Sequence, residues 1–460
     1  MDGNDLVANF IHALTWESLQ PAVQDRIRLA LLDTLGATLV GTLTPISAIT
    51  AEYATATWPG DEATILLHNK RASAIGAAFS NGYAANGIDI DDCALYTKGH
   101  PGAQIFPTAL ALAESLQLGG AAMMTAMVIG YEVAHRAARI WHETHEVYQA
   151  CGSWGSVACA AIAAHLLRLP PWQIQHALGI AEYHAPNLPM MRDIDDPTMV
   201  KHGIGWGTMT GITAAQLAAR GFTGIPSLFG FQEYAGWVDD IGRHYIMANN
   251  IAWKGYACCA WDHAAMRAAG QLVAAHQIQV ADIARIDVEA PHVTLRLGTR
   301  LPTTTEEAQF NLAWPLAALL LDGEVGPAQI LEERFDDPRL RDLAGRVSVV
   351  ETDELNDLYR RAERGDLSGC YAAIVTITLK DGQSYRSDIV EGNINFPQEG
   401  WDAARVEGKF RWLTGQVLDE ARVAQLVDLV ARFEQVPDVR ELTSLIAAAV
   451  RLSSRRSLNL

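Results

Sequence analysis

The sequence predicts a mainly α fold: a helical domain over residues 1–267, a smaller α+β domain over 268–395, and helices over 396–460 that return to the first domain. Three observations carry that prediction. Ala-rich apolar runs with helical spacing fill the first two thirds of the chain. A β-branched run followed by Asp381-Gly382 appears only after about Arg267. Helical spacing resumes beyond Trp401.

Residues 27–40 place Leu29, Leu32, Leu35 and Leu39 at three- and four-residue steps, the period of a helix. Residues 103–116, 121–139 and 157–167 are apolar runs long enough for helices buried on most sides. Pro170-Pro171 closes one run, and residues 172–182 begin just after a proline, which suits a first helical turn. Residues 207–219 repeat the pattern and stop at Gly221. Residues 284–290 then alternate polar and apolar, as a half-buried strand does. Residues 372–379 form a β-branched strand, Asp381-Gly382 marks a hairpin turn, and 384–390 supply the returning strand. A helical stretch over 306–321 lies between them. Near the end, Val423, Leu426, Val427, Leu429 and Val430 restore the helix period.

A length of 460 residues predicts two domains, possibly three, and 49% apolar with 19% charged residues is ordinary globular composition. The formal net charge is −18, from 35 basic and 53 acidic side chains, which argues against a nucleic-acid partner. An anionic substrate must therefore be held by a few local cations. No run reaches the roughly 18 unbroken apolar residues of a membrane span. The acidic start Met-Asp-Gly-Asn-Asp does not match a secretion signal, so a cytoplasmic location is expected. The cysteines (Cys93, Cys151, Cys159, Cys258, Cys259, Cys370) contain no C-x-x-C pair, which predicts reduced thiols without a zinc or iron–sulfur frame.

Four segments draw attention as chemistry. In 81–92, Asp89, Asp91 and Asp92 crowd within four residues, and His100 follows before Pro101-Gly102. Mutual repulsion can raise one such carboxyl into the range of a useful acid or base; a solvated turn or helix cap is the plainer alternative. In 201–207, the glycines do not match a phosphate loop, and Lys201 entering an apolar run must either reach outward or meet an anion. In 254–263, Cys258 and Cys259 read as small apolar fillers, and His263 heads an amphipathic helix as a core or capping residue. The run His142-Glu143-Thr144-His145 is one residue short of the H-E-x-x-H metal motif.

Several stretches in order, LLDTLGATLVG (31–41), NGYAANGIDIDD (81–92), HPGAQIFPTALALAE (100–114), GYEVAHR (130–136), GFTGIP (221–226), residues 254–263 and TTEEAQFNLAWPLAALLLDG (304–323), resemble the MmgE/PrpD family. The resemblance spans nearly the whole chain. It implies a large all-helical domain built from both chain ends, a smaller α+β lid domain, a homodimer, and a small di- or tricarboxylate substrate handled without metal or organic cofactor. By the same resemblance, Asp89, Cys93 and His100 match an aspartate, threonine and histidine of decarboxylating members, Lys201 their lysine and His263 a later histidine. Gln149 stands in place of another family histidine and Trp314 in place of a tyrosine. The implied roles are proton transfer for His100 and His263, carboxylate holding for Lys201, and orientation for Asp89. Asp92, Cys93, Gln149 and Trp314 are the expected substrate-binding set. Dehydration, epimerisation and decarboxylation all build charge beside a carboxylate, which needs cations or donors and an acid/base. The leading expectation is a lyase that dehydrates a 2-methylcitrate-like acid. Epimerisation of an iminodisuccinate-like acid, cis-aconitate-type decarboxylation and a non-catalytic carboxylate binder follow in that order.

Overall fold

The computed structural model describes residues 2–363, 370–392 and 401–453. Its first part runs through α1 (Gly3–Ala13), α2 (Pro21–Gly41), α3 (Pro45–Thr57), the short strands β1 (Ala63–Ile65) and β2 (Lys70–Ala72), α4 (Ala74–Ala85), α5 (Gly102–Ser115), α6 (Gly120–Thr144), α7 (Cys151–Leu166), α8 (Pro171–Tyr183), α9 (Met190–Asp195), α10 (Ile204–Ala219) and α11 (Met247–Asn250). The middle part contains α12 (His263–His276), β3 (Ile283–Ala290), α13 (Thr305–Gln309), α14 (Ala313–Asp322), α15 (Pro327–Ile330), α16 (Pro338–Ala344), β4 (Val347–Glu351), α17 (Asp353–Glu363), β5 (Ile374–Leu379) and β6 (Ser384–Arg386). Helices α18 (Ala403–Thr414), α19 (Glu420–Ala431) and α20 (Arg440–Ser453) complete it. The fold is mainly α with a smaller α+β region, as the sequence predicts.

Two apolar cores organise the chain. The first takes side chains from α1 to α8, α10 and α11 and also Val406, Phe410, Leu426, Phe433 and Val439 of the C-terminal segment. The small residues of this region serve close packing. α10 approaches α7 so nearly that a Cβ on Gly211 would lie 2.4 Å from the Cβ of Cys159. The second core lies between α12, α14, α16 and a sheet of order β4-β3-β5-β6. β3 is parallel to β4 and antiparallel to β5, which pairs antiparallel with β6. Ile88 and Ile90, from the acidic loop after α4, belong to this second core, so that loop is the seam between the two.

Three expectations change. The boundary at residue 267 falls inside α12, and the second core already includes Ala257, Cys258 and Cys259. The helix expected over 306–321 is two, α13 and α14. Pro315 has no N–H, and its ring would clash with the carbonyl four residues earlier, so a helix cannot run through Asn311. The Asn311 side chain instead accepts from the Trp314 N–H at 2.8 Å. The returning strand is shorter than 384–390. The Val375 N–H donates to the Ser387 hydroxyl at 3.0 Å, which interrupts the ladder, and Val390 meets Ala373 only as an isolated bridge. Among the described residues no single helix is long and apolar enough to cross a membrane; α2 and α3 pass together only as a pair bent by 91°.

The return of the C-terminal segment is fixed by charge as well as by packing. Lys409 of α18 donates to Asp33 Oδ1 of α2 at 2.6 Å and to the Ile90 carbonyl at 2.7 Å, and both side chains are buried. Burial pushes the Asp33 carboxyl up to about 6, against the pull of Lys409. Removing one partner of such a pair costs about 3–5 kcal/mol because the other charge is left uncompensated. Lys409→Met should therefore lower the denaturant midpoint strongly at pH 8. At pH 5 the loss should be smaller, because Asp33 is then neutral in parent and variant alike. An equal loss at both pH values would contradict this account of the pair.

Candidate active site

The seam gathers buried ionisable groups: Asp89, Asp91, Asp92, His100, Lys201, His202 and Lys254. After α4, the backbone turns through Asp89 with φ 54°, a left-handed conformation uncommon for a residue with a Cβ. The turn is held by Asn86, whose side-chain amide donates to Asp89 Oδ1 at 3.2 Å and to Asp91 Oδ1 at 2.8 Å. Asp89 is fully buried. Its Oδ2 accepts from Lys254 Nζ at 2.7 Å, and its Oδ1 lies 3.3 Å from His100 Nε2. Burial alone would raise the Asp89 pKa, but Lys254, His100, Lys201 and His202 together hold it well below the usual carboxylate range.

His100 opens the turn into α5. Its Nδ1 donates to the Asp92 carbonyl at 3.0 Å and lies 3.1 Å from Asp91 Oδ2, an oxygen with no hydrogen bond of its own. Burial disfavours the charged ring. The Asp91 and Asp89 carboxylates outweigh it and hold the His100 pKa above histidine's ordinary value. The resting ring is thus biased toward imidazolium, a proton donor.

Beneath it, Asp92 faces inward: Oδ1 accepts from Gly102 N at 2.9 Å and Oδ2 from the Tyr131 hydroxyl at 2.8 Å. A Cβ at Gly102 would lie 2.5 Å from that Oδ1, so only glycine lets the α5 N-terminus close onto the carboxylate. Burial and the neighbouring Asp33 and Asp91 charges raise Asp92 to about 7.

The second wall comes from the segment before α10. Lys201, His202 and Gly203 have φ of 38°, 58° and 63°, three successive left-handed residues. Asp193 of α9 sustains that strain, its Oδ2 accepting from both the backbone N–H (2.8 Å) and Nδ1 (2.6 Å) of His202. The His202 ring stacks on His100 with centroids 5.5 Å apart and planes within 13°. Lys201 Nζ donates to Gln309 Oε1 at 2.6 Å and lies 5.3 Å from the Phe310 ring centre; among the described residues no carboxylate pairs with it. Gln309 is itself held by donating to the Gly87 carbonyl at 3.1 Å and to the Thr305 hydroxyl at 3.0 Å.

A cleft of about 70 Å³ opens between the two cores, lined by Asp89, Cys93, His100, Cys151 and His202 on one side and by Tyr148, Cys259, Trp261, Phe310 and Tyr371 of the second core on the other. Of the expected residues, Asp89, Cys93 and His100 face this cleft, and Lys201 stands behind Phe310. Burial pushes the Cys93 thiol far up, so it stays protonated.

The other expected residues lie elsewhere. Asp92 is turned to Tyr131 and Gly102, where it holds the first turn of α5. Gln149 Oε1 accepts from Leu188 N at 2.6 Å and Ser153 Oγ at 3.3 Å, which clamps the segment leading into α9. Trp314 is fully buried in the second core, with Nε1 donating to the Gln329 carbonyl at 2.9 Å and its ring against Phe335. His263 does not line the cleft; it packs on Tyr256, and burial, followed by the Lys254 and Arg267 charges, keeps it neutral with Nε2 unpartnered. His263 is therefore a poor proton carrier in this conformation.

Lys254, His202, Asp193 and Gln309 are what the sequence reading missed. Lys254 was visible: a lysine between Trp253 and Gly255 in an apolar run poses the same problem as Lys201.

One donor of Asp89, one of His100 and one of His202 lie within 4.8 Å of each other, a set that by atom type could hold a divalent ion. The charges oppose it. Lys254 already occupies one Asp89 oxygen and Lys201 acts on the same carboxylate, so an added dication would meet two ammonium groups. The arrangement is one of buried donors: two stacked histidine rings and an ammonium that has no carboxylate partner among the described residues.

Comparison with known proteins agrees in kind. The MmgE/PrpD N-terminal domain model matches residues 5–244 and the C-terminal domain model matches 256–435. The chain belongs to the MmgE/PrpD family. It is 28% identical to a cis-aconitate decarboxylase of Homo sapiens, over 95% of this chain and 93% of that one. It is 23% identical to a cis-aconitate decarboxylase of Aspergillus terreus, over 97% and 96%. It is 25% identical to a 2-methylcitrate dehydratase of Cupriavidus necator over 51% of each chain.

Two outcomes follow from the charges. Because the folded His100 pKa is raised, its stabilising contribution is complete below the unfolded value of about 6.5 and is lost as pH rises through the folded value. The melting-temperature gap between parent and His100→Gln should shrink from pH 6 to pH 9; a widening gap contradicts the sign. Exhaustive chelation should leave the melting temperature unchanged, whereas a loss restored by a divalent ion would mean that a metal does sit at the triad.

Proposed function

We propose that the protein is a lyase acting on a small di- or tricarboxylate. The observation that carries this reading is His100, buried between Asp89 and Asp91 and biased toward its protonated form where the cleft can present a substrate. Lys201, behind Phe310 and without a carboxylate partner among the described residues, is the cation assigned to a substrate carboxylate. Lys254 leaves Asp89 enough negative charge to hold the imidazolium without leaving that charge bare.

Dehydration of a hydroxy acid is placed first. Loss of water requires one group to take a proton from carbon and another to give one to the departing hydroxide. The cleft carries two imidazoles side by side, which suits that division of labour. Decarboxylation is the second reading; it needs only a proton donor, and relatives bearing the decarboxylase name, matched over 93% and 96% of their length, favour it. A homodimer is part of the proposal, and sedimentation at micromolar concentration checks it.

Incubating the protein in deuterium oxide with citrate-like, malate-like and cis-aconitate-like acids tests the class. A lyase releases an alkene or carbon dioxide with deuterium at carbon; a binder raises the melting temperature and changes nothing in the acid. On whichever acid turns over, His100→Ala should lower kcat by about 10²–10⁴-fold with a modest change in KM. Lys201→Ala should raise KM as well. Lys201→Arg should not restore it, because a planar fork does not fit a slot where Nζ lies 2.6 Å from Gln309. Both alanine variants within threefold of the parent would place the site elsewhere.

A further inference from the structure

His202 has no assigned role, yet it is built as tightly as any residue of the cleft. It is buried, at 2% exposure, in a left-handed backbone conformation. Its only side-chain hydrogen bond among the described residues runs from Nδ1 to Asp193 Oδ2 at 2.6 Å. Burial would raise the Asp193 pKa, but His202 and Lys201 hold it down, so this carboxylate is an acceptor and Nδ1 carries the hydrogen. Nε2 is left as the nitrogen free to face the cleft, which His202 lines. His100 differs at its cleft edge: Nδ1 donates to a carbonyl and lies 3.1 Å from Asp91 Oδ2, and Nε2 also faces a carboxylate, Asp89 at 3.3 Å. Two parallel imidazoles thus meet one small space, one with a carboxylate at each edge and the other with a single carboxylate at its rear edge. Neighbouring groups held in different environments mark an acid and a base.

We propose that His202, positioned and charge-balanced by Asp193, is the base of the reaction, and that His100 is its acid. This rests on the dehydratase reading and divides the work between the rings. His202 Nε2 takes the proton from the carbon next to a substrate carboxylate. The C–H electron pair passes into that carboxylate as an ene-diolate beside Lys201. Its collapse forms the carbon–carbon double bond as the C–O bond breaks, and His100 gives its Nε2 proton to the departing hydroxide, which leaves as water. His100 ends neutral and His202 ends as an imidazolium facing Asp193, so one proton crosses the pair per turnover and solvent exchange resets both rings. Asp193 is a positioning residue: it fixes the tautomer of His202 and offsets the charge that forms on it, the logic of any carboxylate–histidine base.

The test uses His202→Asn, since asparagine tolerates the left-handed backbone, with Asp193→Asn and His100→Gln beside it. In deuterium oxide, on the acid the parent turns over, His202→Asn should lose both product and deuterium incorporation at carbon by at least about 10²-fold, with KM within threefold. Asp193→Asn should lower both together by about tenfold. His100→Gln should lose product by about 10²–10⁴-fold while deuterium still enters the recovered substrate. Exchange at the parental rate in His202→Asn overturns the assignment. If the parent neither turns over nor exchanges any acid of the panel, the lyase reading fails, and the assignment is decided on the resting protein. ¹⁵N-histidine spectra at pH 8 should then show His202 with hydrogen on Nδ1 and a bare Nε2. A hydrogen on His202 Nε2 would overturn it.

Discussion

The buried carboxylate of Asp89 sets the terms for everything around it. A fully buried, ionised aspartate is stable only when both oxygens are satisfied, and here Lys254 takes one while Asn86 and His100 share the other. These partners come from different parts of the chain. Lys254 lies on the stretch leading into the second core, and His100 on the turn into α5. Holding the charge therefore brings the edges of the two cores together, and the cleft forms where they meet. The raised pKa of His100 comes from Asp91 together with this same carboxylate, so the charge on the ring is tied to how the seam is closed.

Behind this layer lies a second, formed by Asp33, Asp91 and Asp92 with Lys409 from α18. Packing carboxylates this closely is tolerated because two have pKa values near neutrality, about 6 for Asp33 and about 7 for Asp92, and need not all be charged at once. The geometry also ties the site to both chain ends. Asp33 is on α2 and Lys409 on α18, so the C-terminal helices support the acidic loop from behind while α5 supports it through Gly102.

Much of the fold was legible because its helices announce themselves by period and composition. Residues 27–40 lie within α2, residues 121–139 within α6, and residues 172–182 within α8. The hairpin at Asp381-Gly382 is likewise real, with Gly382 at φ 92°. β4 was not legible: its pairing with β3 is parallel and made across sixty residues, so no local alternation or turn marks it. In the site, the acidic cluster and His100 stood out because charges are rare in apolar surroundings. His202 did not, because its importance depends on a 2.6 Å contact with Asp193 that no spacing predicts. Gln149 and Trp314 were read by position alone; the first clamps a loop and the second fills a core, roles that depend on which way the side chain turns.

The central claim is that the buried carboxylates of Asp91 and Asp89 together raise the His100 pKa. Titrating His100 by ¹⁵N-resolved NMR in the parent and in Asp89→Asn tests it directly. The account predicts a His100 pKa above that of free histidine in the parent and a clear fall in Asp89→Asn, with the fold intact by melting. A His100 pKa at or below the free value in the parent, or one that does not move when the carboxylate is removed, would contradict it.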